Sequence, residues 1–478
     1  QDYLDRGDFM RARSTLAPVV EASEPSPLRD DAEYMLLEAR CRAFLPSEVK
    51  TEKYQRLHGD IDSLVERTRA HARAPDALYW KAKLYELDDR FLYAARDEYK
   101  RLLSEYPNMP RPDVVMRDAA ALALTLPTPK PEEGYQLAQR LLSEHPGSPY
   151  AGEARLFIGD AYVLTGQYDD ARSVYVNTAD AYADTDLGAE AYLRVAKLAY
   201  DQRDYRMAIH HLDTRLATSA TTKGNDAVYL LLAKAQRKLG DREVARNTLE
   251  DLLNFFPETE TTPEALIELS QVLYELGERG TALSRAQEAS KRFSGNPDVH
   301  RNQAELLGLS GNSLRAADAL LAADEAGAED PVLLLTAARH FRASGHSDDA
   351  IRTYDLLRSK YPISPETVTG GIEAAGLVYE TGGLANDALQ RLETLEQATK
   401  GTERHVDTLA AMLSIYRDLG VHGQVEPLAR RIALETSDPE LLALAAISLA
   451  EIADADRTKK DALDEARALF ARLDLSRV

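Results

Sequence analysis

The 478-residue chain reads as all-α, a right-handed superhelical α-solenoid made by stacking helix-turn-helix pairs. Three observations predict this. Small residues recur at a fixed step: Ala171, Ala208, Ala245 and Ala282 lie 37 residues apart, and Ala316 and Ala350 follow at steps of 34. Each sits in a short copy of one phrase, GQYDDARSVY, RDYRMAIHHL, GDREVARNTL, GERGTALSRA, GNSLRAADAL or GHSDDAIRTY. Each copy follows an apolar run such as AEAYLRVAKLAY or PEALIELSQVLY, with the periodicity of a helix that buries one face. Such a period holds two helices and their turns, and a unit this thin covers its apolar side only by stacking on its neighbours.

Taken in order, the first copy is GDFMRARSTL around Ala12, with Gly7 as its turn glycine and Tyr3 in the place of Tyr162. This frame puts the start of the opening helix before Gln1, so further residues or another protein are expected to cover the apolar face of that half-pair. Residues 30–75 form a divergent pair whose second helix, KTEKYQRLHGDIDSLVERTRAHAR, is unusually long. RFLYAARDEYKRLLSEYP around Ala95 and PEEGYQLAQRLLSEHP around Gly134 complete a divergent N-terminal region, residues 1–150. The regular array spans 151–437 and ends with GGLANDALQRL around Ala388 and a worn copy, GVHGQVEPLA, around Val425. DPELLALAAISLAEIA and DALDEARALFARL make a capping pair over 438–478, for about twelve pairs in all.

The best copy, GDAYVLTGQYDDARSVY, shows how one pair is built. Small residues at Gly159 and Ala171 let two helices cross closely, Gly166 makes the turn, and Tyr162, Tyr168 and Tyr175 fill the wider gaps. Between pairs, HPGSPYAGEA, FFPETETTPEA and KYPISPET supply prolines that stop one helix and polar residues that cap the next. The segment ADTDLGAEA, with Asp184, Asp186 and Gly188, has the look of a calcium loop. It lies one 37-residue step after HPGSPYAGEA and lacks the remaining ligands in register, so it reads as another cap.

Gly159, Tyr162, Gly166, Ala171 and Tyr175 together resemble the signature of the tetratricopeptide repeat, and Pro107, Pro146, Pro257 and Pro362 match that family's helix-ending proline. The chain departs from the family pattern in its longer repeats, in lacking the early tryptophan, and in having Ala196, Ala233, Ser270 or Ala304 where Gly159 stands. The resemblance implies a protein-binding array whose first helices line a concave face. The phrases SEYPNMPRPDVV and SEHPGSPYAGEARLFIGDAYVLTGQYDDARSVY further resemble bacterial cell-envelope repeat proteins, the outer-membrane assembly lipoproteins and the Tol-Pal coordinator family, mainly over residues 95–300. That likeness implies a periplasmic or envelope-associated place, with the cytoplasm as the alternative. The family's chaperone-tail clamp is not reproduced: Lys197 and Lys234 stand without their asparagines.

Composition narrows the partners. With 58 Lys and Arg against 79 Asp and Glu the net charge is −21, which opposes nucleic acid and anionic lipid. No run approaches the ~20 apolar residues of a membrane span, and QDYLDRGDFM lacks the basic start and apolar core of a signal peptide. Cys41 is the only cysteine and lies in an apolar helical run, so it is expected to be a buried packing residue. Phosphate loop, dinucleotide fingerprint, nucleophile elbow, zincin helix and cysteine knuckle are all missing from the sequence. His210 and His211 are adjacent and point about 100° apart on a helix, too far to share one metal ion. No catalytic, cofactor or metal site is therefore expected.

What remains is binding of protein. Counting from the small residue on each first helix, the next residue and the one three further on project into the groove: Asp160 and Val163, Lys197 and Tyr200, Lys234 and Arg237, Gln271 and Tyr274, Glu305 and Gly308, Arg339 and Arg342. Lys197, Lys234, Arg237, Arg339 and Arg342, dotted with Tyr200 and Tyr274, make a basic face suited to acidic or extended segments of a partner protein. The expected function is a non-catalytic interaction scaffold within a larger complex. Two alternatives stand beside it: a structural strut of a motor, secretion or polymer-export machine, and a regulatory repeat region of a longer enzyme or sensor.

Overall fold

The alanines that set the period occupy one structural position. Ala12, Ala95, Gly134, Ala171, Ala208, Ala245, Ala282, Ala316, Ala350, Ala388 and Val425 are each the fourth residue of their helix, and every one of them is buried. A side chain so placed faces the preceding helix one turn in from the end, where the two backbones come closest. A computed structural model describes residues 2–22, 27–44, 51–218, 224–382, 384–456 and 458–473. Among these the regular structure is helical, with 26 α-helices, and no strand occurs.

The chain divides into two compact units, residues 1–240 and 241–478. The first runs from helix Asp2–Asp5 to helix Asn225–Leu239 and the second from Arg242–Phe255 to Lys460–Arg472. Within each unit every helix packs on the next in sequence. First helices of successive pairs also touch, as Ala151–Leu164 touches Asp186–Asp201 and Pro331–Ala343 touches Pro365–Glu380.

The turns inside pairs share one geometry. Gly166 has φ +77°, in the left-handed region, and the Gln167 amide donates to the Tyr162 carbonyl at 2.8 Å. This six-to-one bond closes the first helix and satisfies one of its free carbonyls. The opening copy matches: Gly7 has φ +77°, and the Asp8 amide donates to the Tyr3 carbonyl at 2.8 Å. One pair makes the same turn without glycine. Arg203 takes φ +63°, and the Asp204 amide still reaches the Ala199 carbonyl at 2.8 Å.

Between pairs the prolines act as expected. Tyr106, His145, Phe256 and Tyr361, each directly before a proline, leave the helical region with φ between −127° and −131° and ψ between 59° and 63°. A following proline ring disfavours helical backbone at that residue. The caps are more varied than the sequence implies. Ser364 Oγ accepts from the Thr367 amide at 3.2 Å, whereas Tyr150 and Thr261 begin their helices with no side-chain cap. In the segment weighed as a calcium loop, Thr185 Oγ1 accepts from the Gly188 amide at 3.2 Å, so this is a helix cap.

Three expectations need correction. The long second helix of the divergent pair stops at Arg67 rather than continuing through residue 73. There Thr68 Oγ1 donates to the Leu64 carbonyl at 2.7 Å, and the chain turns so that His71 stacks on Tyr34 with ring centres 4.8 Å apart. Tyr168 fills no gap, since it is 44% exposed. Tyr175 lies directly over Gly159 rather than beside the crossing: a Cβ on Gly159 would stand 2.2 Å from Tyr175 Cε1. Glycine leaves the room that the Tyr175 ring occupies there. Ala196 faces Leu212 and Ala304 faces Leu320 in shared core clusters, and there a methyl fits. Cys41 is buried as expected, and burial pushes its thiol up to about 12.

Candidate protein-binding site

At about 100° per residue, positions −6, −3, +1 and +4 from the small residue of a first helix fall within about 80° of arc and share one face. In the first unit this face carries Asp160 and Val163 on Ala151–Leu164, Lys197 and Tyr200 on Asp186–Asp201, and Lys234 and Arg237 on Asn225–Leu239. Asp160 is engaged by its neighbours: Tyr175 Oη donates to it at 2.6 Å, and Arg194 of the next first helix forms an ion pair with it. Burial and this carboxylate raise the Tyr175 hydroxyl well above the usual phenol range. Val163 is half-buried. Lys197 is exposed and has no carboxylate partner among the described residues. Tyr200 packs edge-on against Tyr205 with ring centres 5.4 Å apart, and Lys234 and Arg237 are half-buried on the following first helix.

In the second unit the corresponding face is bonded from pair to pair. Gln271 Nε2 donates to Asn302 Oδ1 at 3.1 Å, and Asn302 Nδ2 donates to Ser270 Oγ at 2.8 Å. Tyr274 Oη donates to the Leu309 carbonyl at 3.2 Å. Arg339 pairs with Glu373 at 2.6 Å, and Arg342 with Glu380 at 2.9 Å. Glu373 also accepts from Tyr354 Oη at 2.6 Å. Although burial works against ionisation, the hydrogen bonds from Arg339 and Tyr354 outweigh it and hold Glu373 below the usual carboxylate range. Glu305 is exposed, and Gly308 lies close beneath the His340 ring.

One rule covers the three contacts of Asp160 with Arg194, Gln271 with Asn302 and Arg339 with Glu373. The residue just after the small one on a first helix bonds the residue two before the small one on the next first helix. The positive charge that Arg339 and Arg342 bring to the groove face is thereby balanced within the chain.

Sequence reasoning missed a deeper feature of the first unit. Helices Pro27–Arg42, Ala74–Tyr85 and Pro112–Thr125 enclose a cavity of about 610 Å³. Its walls include Asp76 and Tyr79, and Val114 and Arg117, which are the −6 and −3 positions counted from Ala82 and Ala120. Trp80, Met109, Arg111 and Tyr150 complete the part that matters chemically. Arg117 lies over the Tyr150 ring at 4.2 Å, and Tyr79 Oη donates to Asp118 at 2.8 Å. Extending the groove count toward the start of each first helix reaches these residues once Ala82 and Ala120 are taken as its origin.

The two adjacent histidines differ in setting. His210 is exposed, whereas His211 is buried beneath Tyr192 at 6.2 Å between ring centres, and burial lowers its basicity. Among the described residues no cluster of three His, Cys, Asp or Glu side chains is arranged to hold a metal, and no helix is long and apolar enough to cross a membrane.

Comparison with known families agrees with the repeat frame. Residues 118–226 match a tetratricopeptide repeat-like domain, and residues 227–259 and 267–331 each match a tetratricopeptide repeat. No curated protein matches the sequence. Among solved structures, the chain is similar to the C-terminal part of a TPR repeat-containing protein from Cytophaga hutchinsonii, with 16% identity over 53% of this chain and 99% of that one and a TM-score of 0.42. It is also similar to Pseudomonas aeruginosa PilF, with 17% identity over 45% of this chain and 95% of that one and a TM-score of 0.35. A repeat protein from Parabacteroides merdae gives 16% identity over 55% and 98%, with a TM-score of 0.32. Paired helices, their recurring spacing and the matched repeat models identify the chain as a tetratricopeptide repeat protein.

Proposed function

We propose that the chain is a non-catalytic protein–protein interaction scaffold that holds a partner polypeptide against the faces of its first helices, within a bacterial envelope complex. The observation that carries this reading is the first-unit face, where Lys197 is exposed without a carboxylate and Tyr200 stands beside it in a chain of net charge −21. A cation and an aromatic ring on a rigid helix recognise an acidic, extended segment without large ordering cost. The envelope setting is supported by the likeness of SEYPNMPRPDVV and its neighbouring phrases to envelope repeat proteins. To test the reading, a photo-crosslinking amino acid is placed at Tyr200 in the native host. A discrete adduct that disappears in the triple variant Lys197→Glu, Lys234→Glu, Arg237→Glu is the expected result. An unchanged adduct in that variant removes the site.

A second reading, a strut in a larger machine, is favoured by the second unit. There Arg339, Arg342 and Arg417 are bonded to Glu373, Glu380 and Glu451 of the next first helix, which ties the groove face to itself. Co-purification in fixed stoichiometry that survives ~1 M salt would favour the strut, since exposed charge pairing with a transient client is screened under those conditions.

A further inference from the structure

The cavity near the start of the first unit has the chemistry of a specific subsite. Four arginines line it, and three of them already hold carboxylates: Arg42 holds Glu38 at 3.1 Å, Arg73 holds Asp31 at 3.3 Å and Arg117 holds Asp118 at 2.5 Å. Arg111 differs. Its only hydrogen bond among the described residues is Nη2 donating at 3.4 Å to Tyr150 Oη, a neutral group; it forms no ion pair, though its charge reaches Asp76, and the side chain is exposed. A guanidinium has five N–H donors in a planar fork that matches a carboxylate, so most of its capacity is unused.

The half-buried indole of Trp80, with Arg42 over its ring at 5.4 Å and no hydrogen-bond acceptor for its N–H among the described residues, lines the cavity together with the apolar Met109 and Val114. Asp76, at the first turn of its helix, has no hydrogen bond or ion pair among the described residues, although the charges of Arg73 and Arg111 reach it. At about 610 Å³ the space admits two or three residues of an extended chain rather than a folded element.

We propose that this cavity binds an extended segment of a partner polypeptide, with one acidic side chain on Arg111, the adjacent apolar side chain against Trp80, Met109 and Val114, and a backbone N–H on Asp76. The proposal rests on the reading of the chain as a protein-binding scaffold and locates one anchor of that binding. The lining favours a single carboxylate over an acidic run, because Asp76 and the paired Glu38 repel further negative charge.

Trp80 is the only tryptophan, so intrinsic fluorescence reports directly on this cavity. The full chain is titrated with a blocked tetrapeptide of serine, glutamate, phenylalanine and serine, and with versions carrying glutamine for glutamate or alanine for phenylalanine. The expected result is a saturable change in Trp80 emission, with affinity reduced about tenfold for either altered peptide. In Arg111→Ala the glutamate and glutamine peptides should bind equally, and Arg111→Lys should restore part of the preference. Arg111 is exposed and bears no ion pair, so these variants retain the fold, which far-UV circular dichroism verifies.

The proposal is overturned by no saturable change with the glutamate peptide, by a preference for glutamate that persists in Arg111→Ala, or by acetate alone reproducing the response. The crosslink at Tyr200 keeps the two claims apart. A failed titration with an intact crosslink removes only this cavity, whereas absence of both removes the scaffold reading as well.

Discussion

Two first-helix regions of this molecule treat their charged groups in opposite ways. On Pro331–Ala343 the groove cations Arg339 and Arg342 are bonded to Glu373 and Glu380 of the next first helix. Around Ala74–Tyr85 and Pro112–Thr125, neither Arg111 nor Asp76 forms an ion pair and the Trp80 N–H has no acceptor among the described residues. The first region lies in the evenly spaced part of the chain and the second where spacing is irregular. On Pro331–Ala343 the spacing brings two arginines opposite glutamates about one repeat later. Around Ala74–Tyr85 many charges are paired as well, Lys81 with Asp62 and Glu98 among them, but Arg111 is left out of that network.

The largest expected effect probes the regular part. Gly159→Ala forces a methyl to within 2.2 Å of the Tyr175 ring, which is 2% exposed and anchored to Asp160. Overpacking of this kind should cost about 3 kcal/mol, seen as a lower midpoint in urea. Gly376, on a helix with open space around it, should give the opposite sign. Gly376→Ala is expected to stabilise by about 0.5–1 kcal/mol through helix propensity. If both substitutions destabilise equally, the crossing geometry is not what sets the glycine.

Acid tests the irregular part. His58 is 8% exposed, and neither ring nitrogen has a partner; it stacks on Tyr85 at 4.2 Å, with Tyr54 edge-on, and faces Lys81 and Asp62. Burial first, then the Lys81 charge, lowers its pKa from 6.5 to about 4, against a smaller opposing effect of Asp62. The folded pKa is depressed, so the unfolded chain binds the proton more tightly. The stabilisation is complete above the unfolded value and falls as pH drops from 6.5 toward 4, by about 2–3 kcal/mol. His58→Phe should flatten that slope for the first unit, followed by amide exchange at residues 74–85.

Smaller effects refine the contrast. Arg203→Gly removes a non-glycine residue from the left-handed region and should stabilise by about 0.5–1 kcal/mol in thermal melts. A double-mutant cycle on Arg339 and Glu373 should give a coupling of about 0.5 kcal/mol, because Arg339 is half exposed and the pair is screened by salt. A zero coupling would mean that the pairing does not hold in solution and leaves these cations open to a partner.

The fold was legible because a small residue marks the fourth position of most second helices, and because turn glycines and prolines act through backbone geometry that needs no tertiary partner. That the +1 and +4 positions of a first helix share one face also follows from helical phase alone. The partners of the charges there were not legible, since the bond from Arg339 to Glu373 depends on which rows of successive first helices lie opposite. The cavity was hidden by a local slip in phase. The turn at Asp89–Phe91 is longer than elsewhere, so counting twelve residues back from Ala95 lands on Lys83, whereas the buried small residue is Ala82.

The bonds between first helices bear on how such a chain grows. Their two ends lie about one repeat apart, as with Asp160 and Arg194 or Arg339 and Glu373. A duplicated stretch of gene one repeat long therefore arrives carrying a donor for the copy on one side and an acceptor for the copy on the other. Lengthening by whole repeats leaves no orphaned charge at the joint, whereas an insertion of any other length would strand one on each side.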